Sequence, residues 1–324
     1  MTQAAKKRLE WLDFWRIVSA IAIIWLHTPE SELLAGTTSS ARYAVPFFVA
    51  SAAYMACRIR SGPPKDSFGA FLWSRFLRIY LPFLGWSLIY LLVRYLASLV
   101  LPNTHPFPIT WNLLWRGPTS HLWFLPFILL ATILANLVGR FMSARPTAAW
   151  PTVLGLLVIS GLTLMEPTFS RGFSYTASLS YNTLPALFWG ISLAIVCSKF
   201  GTAWLSRPLT IAISFTLFLA LEVALALAGR DFWVENLAGL FLLLACFGDC
   251  RFTWVTAVAS LGSMAYGVYL SHMLFVEGLQ DVAQHFRFPE NALNDILVFV
   301  LSTVCALVLT ACLQRSRRWS WLVP

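Results

Sequence analysis

The sequence predicts an all-α, polytopic membrane protein with about ten transmembrane helices and both termini in the cytoplasm. Three observations predict it: an apolar composition, apolar runs of bilayer-spanning length along the whole chain, and a lopsided placement of Lys and Arg between those runs. Of 324 residues, 58% are hydrophobic and 11% charged, against about 25% charged in an ordinary soluble domain. Mean hydropathy is +0.71. A water-facing globule needs a polar exterior that this composition does not supply, whereas a membrane-crossing helix needs about 20 apolar residues.

Ten apolar runs follow one another: Trp11–Thr28, Tyr43–Cys57, Phe76–Val100, Leu122–Arg140, Trp150–Met165, Leu184–Cys197, Leu209–Ala228, Phe232–Phe247, Val255–Phe275 and Ile296–Leu313. The first follows Lys6, Lys7 and Arg8, as a signal peptide would. It contains Arg16 and His27, however, and nine further runs follow it, so it reads as a retained first helix. Some runs fall short of a full span and are expected to be tilted or broken. With the N-terminus inside, the inner segments carry sixteen Lys and Arg: Lys6, Lys7, Arg8, Arg58, Arg60, Lys65, Arg75, Arg78, Arg140, Arg145, Lys199, Arg207, Arg251, Arg315, Arg317 and Arg318. The outer loops carry five, namely Arg42, Arg116, Arg171, Arg230 and Arg287. That asymmetry is the positive-inside pattern for an even number of helices. The fifteen Trp suit bilayer interfaces.

The same placement accounts for the net charge of +9 without nucleic acid, for which no compact basic domain exists. None of Cys57, Cys197, Cys246, Cys250, Cys305 and Cys312 falls in an outer loop, so no disulfide framework is implied. Cys246 and Cys250 stand at i, i+4 with no matching pair, which argues against zinc.

Ionisable side chains within apolar spans are costly, and they mark the functional candidates. Arg16 and His27 lie eleven residues apart on the first helix. That is almost three turns, so both project from one face about 16 Å apart, with Ala20 and Ile23 between them. The alternative is a snorkelling Arg16 helped by Asp13, and a helix-end His27. His121, opening the fourth helix in His121-Leu122-Trp123-Phe124-Leu125, and His272, near the outer end of the ninth, fall at the level of His27. Three histidines invite a zinc reading, but they lack supporting carboxylates at fixed spacing, so no metal is expected. On the inner side, Arg75 and Arg78 just before the third helix share a face at i, i+3. They form either a positive flank or a clamp for phosphates. Glu222, deep in the seventh run, is expected to pair with Arg94. Trp123 either lines a pocket or anchors its helix.

Four blocks in this order resemble the membrane acyltransferase type-three family. They are Leu12-Asp13-Phe14-Trp15-Arg16 with His27 beyond, Arg75 and Arg78 with Pro82, the run from His121 to Leu125, and Tyr269 to His272. Ten helices is that family's usual architecture. The resemblance departs at Ser51, followed by Ala52 where family members commonly carry Gly. It implies one transmembrane acyltransferase domain over residues 1–324, without the extra extracytoplasmic domain of some members, as a multi-pass protein of a bacterial inner membrane. It further implies transfer of an acyl group, usually acetyl, from cytoplasmic acyl-coenzyme A to a hydroxyl of a cell-surface polysaccharide or lipid-linked glycan precursor. In that scheme His27 and Arg16 are catalytic, with His27 either a general base or a transient acyl carrier. Arg16, Arg75 and Arg78 hold coenzyme A, and His121, Trp123, Tyr269 and His272 shape the acceptor side. The competing class is a transporter or flippase with Arg and His lining its path, and the sequence shows no inverted repeat. A remoter one is a scaffold in a glycan-synthesis complex.

Overall fold

The computed structural model describes residues 9–57, 59, 67–100, 107–165, 174–229, 231–249 and 252–324. Lys6, Lys7, Arg8, Arg58, Arg60, Lys65, Arg171, Arg230, Arg251 and Cys250 lie outside the described residues. Among those described, every regular element is helical, and nine of the ten apolar runs each coincide largely with one helix, the ninth run being divided. We label these α1 (Glu10–His27), α2 (Ala44–Ala56), α3 (Phe68–Val100), α4 (Phe124–Ala144), α5 (Ala149–Met165), α6 (Tyr175–Phe200), α7 (Pro208–Ala228), α8 (Phe232–Ala245), α9 (Ala265–His285) and α10 (Ala292–Arg315). Six of them, α3 to α7 and α10, are long and apolar enough to cross a membrane by length and composition.

The shortest helices pack at the centre. In α2, Ala44, Phe47, Ala50 and Ala53 are fully buried at helical spacing, because α2 packs against α1, α4, α6 and α8. Glycines permit this approach. A Cβ on Gly190 of α6 would stand 2.3 Å from the Ala50 carbonyl oxygen, and one on Gly239 of α8 would stand 2.6 Å from the Phe47 nitrogen. Such small-residue contacts let helix backbones meet without a core-forming hydrophobic effect. Ala52 is only half-buried, and Gly190 provides the close contact with α2. The most apolar helices lie outside: α7 buries 17% of its most apolar window, against 56% for α6. Exposed residues such as Leu92, Leu96 and Leu99 of α3 belong in lipid.

Boundaries near the candidate site residues differ from the sequence expectation. Helix α3 begins at Phe68, so Arg75 and Arg78 lie inside it rather than before it. A π-helical stretch, Phe76–Tyr80, starts directly after Arg75 and contains Arg78. Pro82 explains the stretch, since it offers no N–H to the Arg78 carbonyl and its ring crowds that oxygen. The wider turn takes the two arginines out of simple i, i+3 register: Arg75 is half-buried with its guanidinium 5.1 Å from the Phe71 ring centroid, whereas Arg78 is exposed. Helix α4 opens at Phe124, leaving His121 in the preceding turn. The ninth run is broken into Thr253–Ala259, a 3-10 turn at Ser260–Met264, and α9, which extends ten residues past Phe275.

Candidate active site

Three elements bring the histidines together. His27 closes α1, which packs along α9, the carrier of His272. His121 sits in the turn before α4. That turn is shaped by Gly117 at φ 71 and anchored by fully buried Leu122 and Leu125. The Tyr269 hydroxyl donates to the His121 carbonyl and so ties α9 to the turn. Ring centroids of His121 and His272 are 4.8 Å apart, and those of His27 and His272 are 5.6 Å apart. Tyr269 and Tyr90 flank the His121 ring at 5.6 and 5.5 Å.

The hydrogen bonds assign work to particular nitrogens. His272 Nδ1 lies 2.6 Å from the Tyr269 carbonyl oxygen. A carbonyl can only accept, so the neutral ring carries its proton on Nδ1 and leaves a lone pair on Nε2. His121 Nδ1 shares a 3.1 Å hydrogen bond with the Thr119 hydroxyl. The Nε2 atoms of His121 and His272 are buried with no aligned hydrogen-bond partner. Leaving a buried polar atom unsatisfied costs about 1–3 kcal/mol, and a fold keeps such atoms where a ligand or a transferred proton uses them.

A small cleft of about 80 Å³ reaches this cluster, lined by His27, His121, Trp123 and Tyr269 together with residues of α2, α6 and α8. It takes a few water molecules or one hydroxyl-bearing fragment, since ordinary ligand pockets measure about 300–1,000 Å³. His272 lies behind its wall, fully buried.

Three polar wall residues were not singled out as a site by sequence reasoning. Arg42 Nε stands 4.0 Å from Glu235 Oε1, and both line the cleft. Asn236 sits where Pro185 interrupts α6. Its Nδ2 donates to Asn182 O at 2.8 Å, and its Oδ1 accepts from Ala186 N at 3.2 Å. The amide therefore replaces the broken rung of the helical ladder. The usable signal was an Asn and a Glu inside the apolar eighth run, which the intramembrane-polar rule flags.

The inner candidates lie apart from the histidines. Arg16 pairs with Asp13 at 3.6 Å and its side chain is 46% exposed, as the snorkelling alternative describes. The cleft reaches Ile23 of α1, and Ala20, one turn further in, is fully buried. Arg94 pairs with Asp281 at 3.7 Å rather than with Glu222. Glu222 of α7 instead faces Glu235 of α8, because α7 and α8 pack together. Among the described residues, no group of three or more His, Cys, Asp or Glu is placed to hold a metal ion.

Beyond α1, the Asp295 carboxylate of α10 accepts from the backbone of Glu30 at 3.1 Å and of Ser31 at 3.2 Å, and from the Ser31 hydroxyl. Gln280 donates to the Thr28 carbonyl at 3.2 Å. These bonds hold the chain as it leaves His27. Burial, followed by the carboxylates of Glu290, Asp295 and Asp281, pushes the Glu30 carboxyl above its usual range. Replacing Asp295 with Ala leaves two amides and a hydroxyl without their charged acceptor, a loss of about 3 kcal/mol. Hydrogen exchange at the Glu30 and Ser31 amides is expected to accelerate by about tenfold or more, with α2 still protected. Unchanged exchange at those amides would show that Asp295 does not hold this segment.

Clustered, buried imidazoles beside a cleft, in a helical membrane scaffold, define a protein equipped for proton and group transfer. The family described as the acyltransferase domain matches residues 9–315, and the chain belongs to it, as a membrane acyltransferase of the type-three family. Among curated proteins it is similar to an amino-acid racemase of Enterococcus faecalis, 22% identical over 97% of this chain and 47% of that protein. The chain thus spans about half the length of that relative. No solved structure matches the chain.

Proposed function

We propose that this acyltransferase moves an acyl group, acetyl, from cytoplasmic acyl-coenzyme A to a hydroxyl of a cell-surface polysaccharide or lipid-linked glycan precursor at a bacterial inner membrane. The observation that supports the reading is the histidine cluster, with two buried Nε2 atoms that lack an aligned hydrogen-bond partner behind a cleft that His27 lines. With the N-terminus cytoplasmic, this cluster faces the outer leaflet. His27 serves as the base, taking the proton of the acceptor hydroxyl as its oxygen attacks the thioester carbonyl. The carbon–sulfur bond breaks, and coenzyme A leaves as a thiolate that regains a proton. The route with His27 as a transient acyl carrier keeps the same balance in two steps.

Arg75 and Arg78 hold the coenzyme A phosphates, with Arg16 near the entry of the pantetheine arm. The exposed guanidiniums of Arg16 and Arg78 suit a polyanion arriving from water. For the acyl arm to reach His27, α1 must part from its neighbours near Ala20, which is sealed in this structure. An Arg75→Ala/Arg78→Ala double variant is expected to bind acetyl-coenzyme A about tenfold to a hundredfold more weakly in calorimetry, and unchanged affinity would remove the clamp. The reading as a whole is tested in vesicles supplied with radiolabelled acetyl-coenzyme A and cell-envelope glycan. Label is expected on glycan hydroxyls, and also on His27 if the acyl-carrier route operates. Absence of transferred label overturns the reading.

A further inference from the structure

A second cavity, of about 220 Å³, opens between α3 and the half of α9 that runs beyond His272. Arg94 comes from one wall, and Glu277, Gly278 and Asp281 from the other. At 1.5 Å per residue, Glu277 stands about 8 Å and Asp281 about 14 Å along α9 from His272. Arg94 and Asp281 stay 30% and 35% exposed while paired, and the Arg94 guanidinium lies 5.6 Å from the Phe107 ring centroid. The rim is apolar, with Val93 and Val282 41% and 48% exposed. Charged groups kept open to a groove within a lipid-facing rim are costly and mark a ligand path.

The lining selects the ligand. Two carboxyl groups against one guanidinium and the His285 imidazole leave no surplus positive charge for a phosphate, and Glu30 lies close to Asp281. Hydroxyl groups satisfy both kinds of partner at once, donating to carboxylates and accepting from guanidinium. Phe107 and the exposed Val93 and Val282 offer apolar contact to the C–H side of a pyranose. Gly278 keeps the floor open, since a Cβ there would meet nothing within 4 Å.

We propose that this groove docks a neutral sugar ring of a membrane-borne acceptor entering sideways from the lipid. The assignment as acceptor site rests on the acyl-transfer reading above and names its substrate class. Tyr90 links the two places. It lines the groove, packs edge-on against His121 at 5.5 Å, and holds its hydroxyl between Leu270 O at 2.9 Å and Leu274 N at 3.2 Å. A sugar in the groove stands one aromatic ring from the histidines.

The test uses a photoreactive alkyl glucoside in vesicles containing the full chain. Labelling is expected on the α3 and α9 segments that flank the groove, competed by unmodified alkyl glucoside and indifferent to added phosphatidylethanolamine. Gly278→Leu fills the floor without a clash and should cut labelling by about tenfold or more, with elution profile and melting temperature retained. Gly155→Leu, at a lipid-facing glycine of α5, should label like the unaltered chain. Undiminished labelling of Gly278→Leu, or its loss to phosphatidylethanolamine, overturns the proposal. Absence of acyl transfer by the unaltered chain, with groove labelling intact, overturns the acyl-transfer reading and leaves a sugar site standing.

Discussion

Replacing His27 with Ala is expected to lower acyl-transfer turnover by about 10²–10⁴-fold, the contribution of a well-placed base. Coenzyme A binding should persist, because Arg75 and Arg78 lie elsewhere in α3. Position 27 is the clean place to make this cut. His27 is half-buried at the end of α1 and lines the cleft, so its removal leaves the core intact. His272 is fully buried and bonded through Nδ1, so its loss would mix catalysis with stability. Purified His27→Ala protein should match the unaltered chain in melting temperature while single-turnover transfer collapses. If turnover is retained, His27 is not the base. Acyl label recovered on the denatured unaltered chain, and absent from His27→Ala, would select the acyl-carrier route.

What the sequence makes legible here is what periodicity and cost control. The apolar runs and the shared level of His27, His121 and His272 follow from apolar spacing and from the expense of polar groups in lipid, whereas Tyr269 was marked by the family resemblance alone. Three features were hidden for separate physical reasons. The π-helical turn at Phe76–Tyr80 depends on how a chain relieves a proline, which helical spacing cannot express. The Asn236 bridge across the Pro185 break requires two helices to be adjacent, and no single run carries that information. Arg94 finds Asp281 rather than Glu222 because α3 borders α9. Partner choice between distant helices follows packing, not hydropathy. Arg16 shows the converse: its face on α1 was readable, but the local carboxylate of Asp13 takes its guanidinium.

The largest effect on folding is expected from the smallest substitution, Gly190→Ala. The added Cβ would stand 2.3 Å from the Ala50 carbonyl oxygen and 3.0 Å from its Cα. Both are backbone atoms, which no side-chain rotation can move aside. Helices α2 and α6 must therefore separate, and α2 touches four other helices through fully buried residues. Overpacking of this kind costs about 3 kcal/mol or more where nothing can yield. Helix propensity works in the opposite direction, favouring Ala over Gly by about 0.8–1.0 kcal/mol, too little to reverse the sign. Gly155 isolates that smaller effect, because a Cβ there meets nothing within 4 Å. Melting temperatures in one detergent should fall for Gly190→Ala and hold or rise for Gly155→Ala. Equal shifts would mean that α2 and α6 do not meet at Gly190. Because Val45 and Pro46 at the start of α2 line the histidine cleft, the same displacement should reach the acceptor side and lower turnover in the protein that still folds.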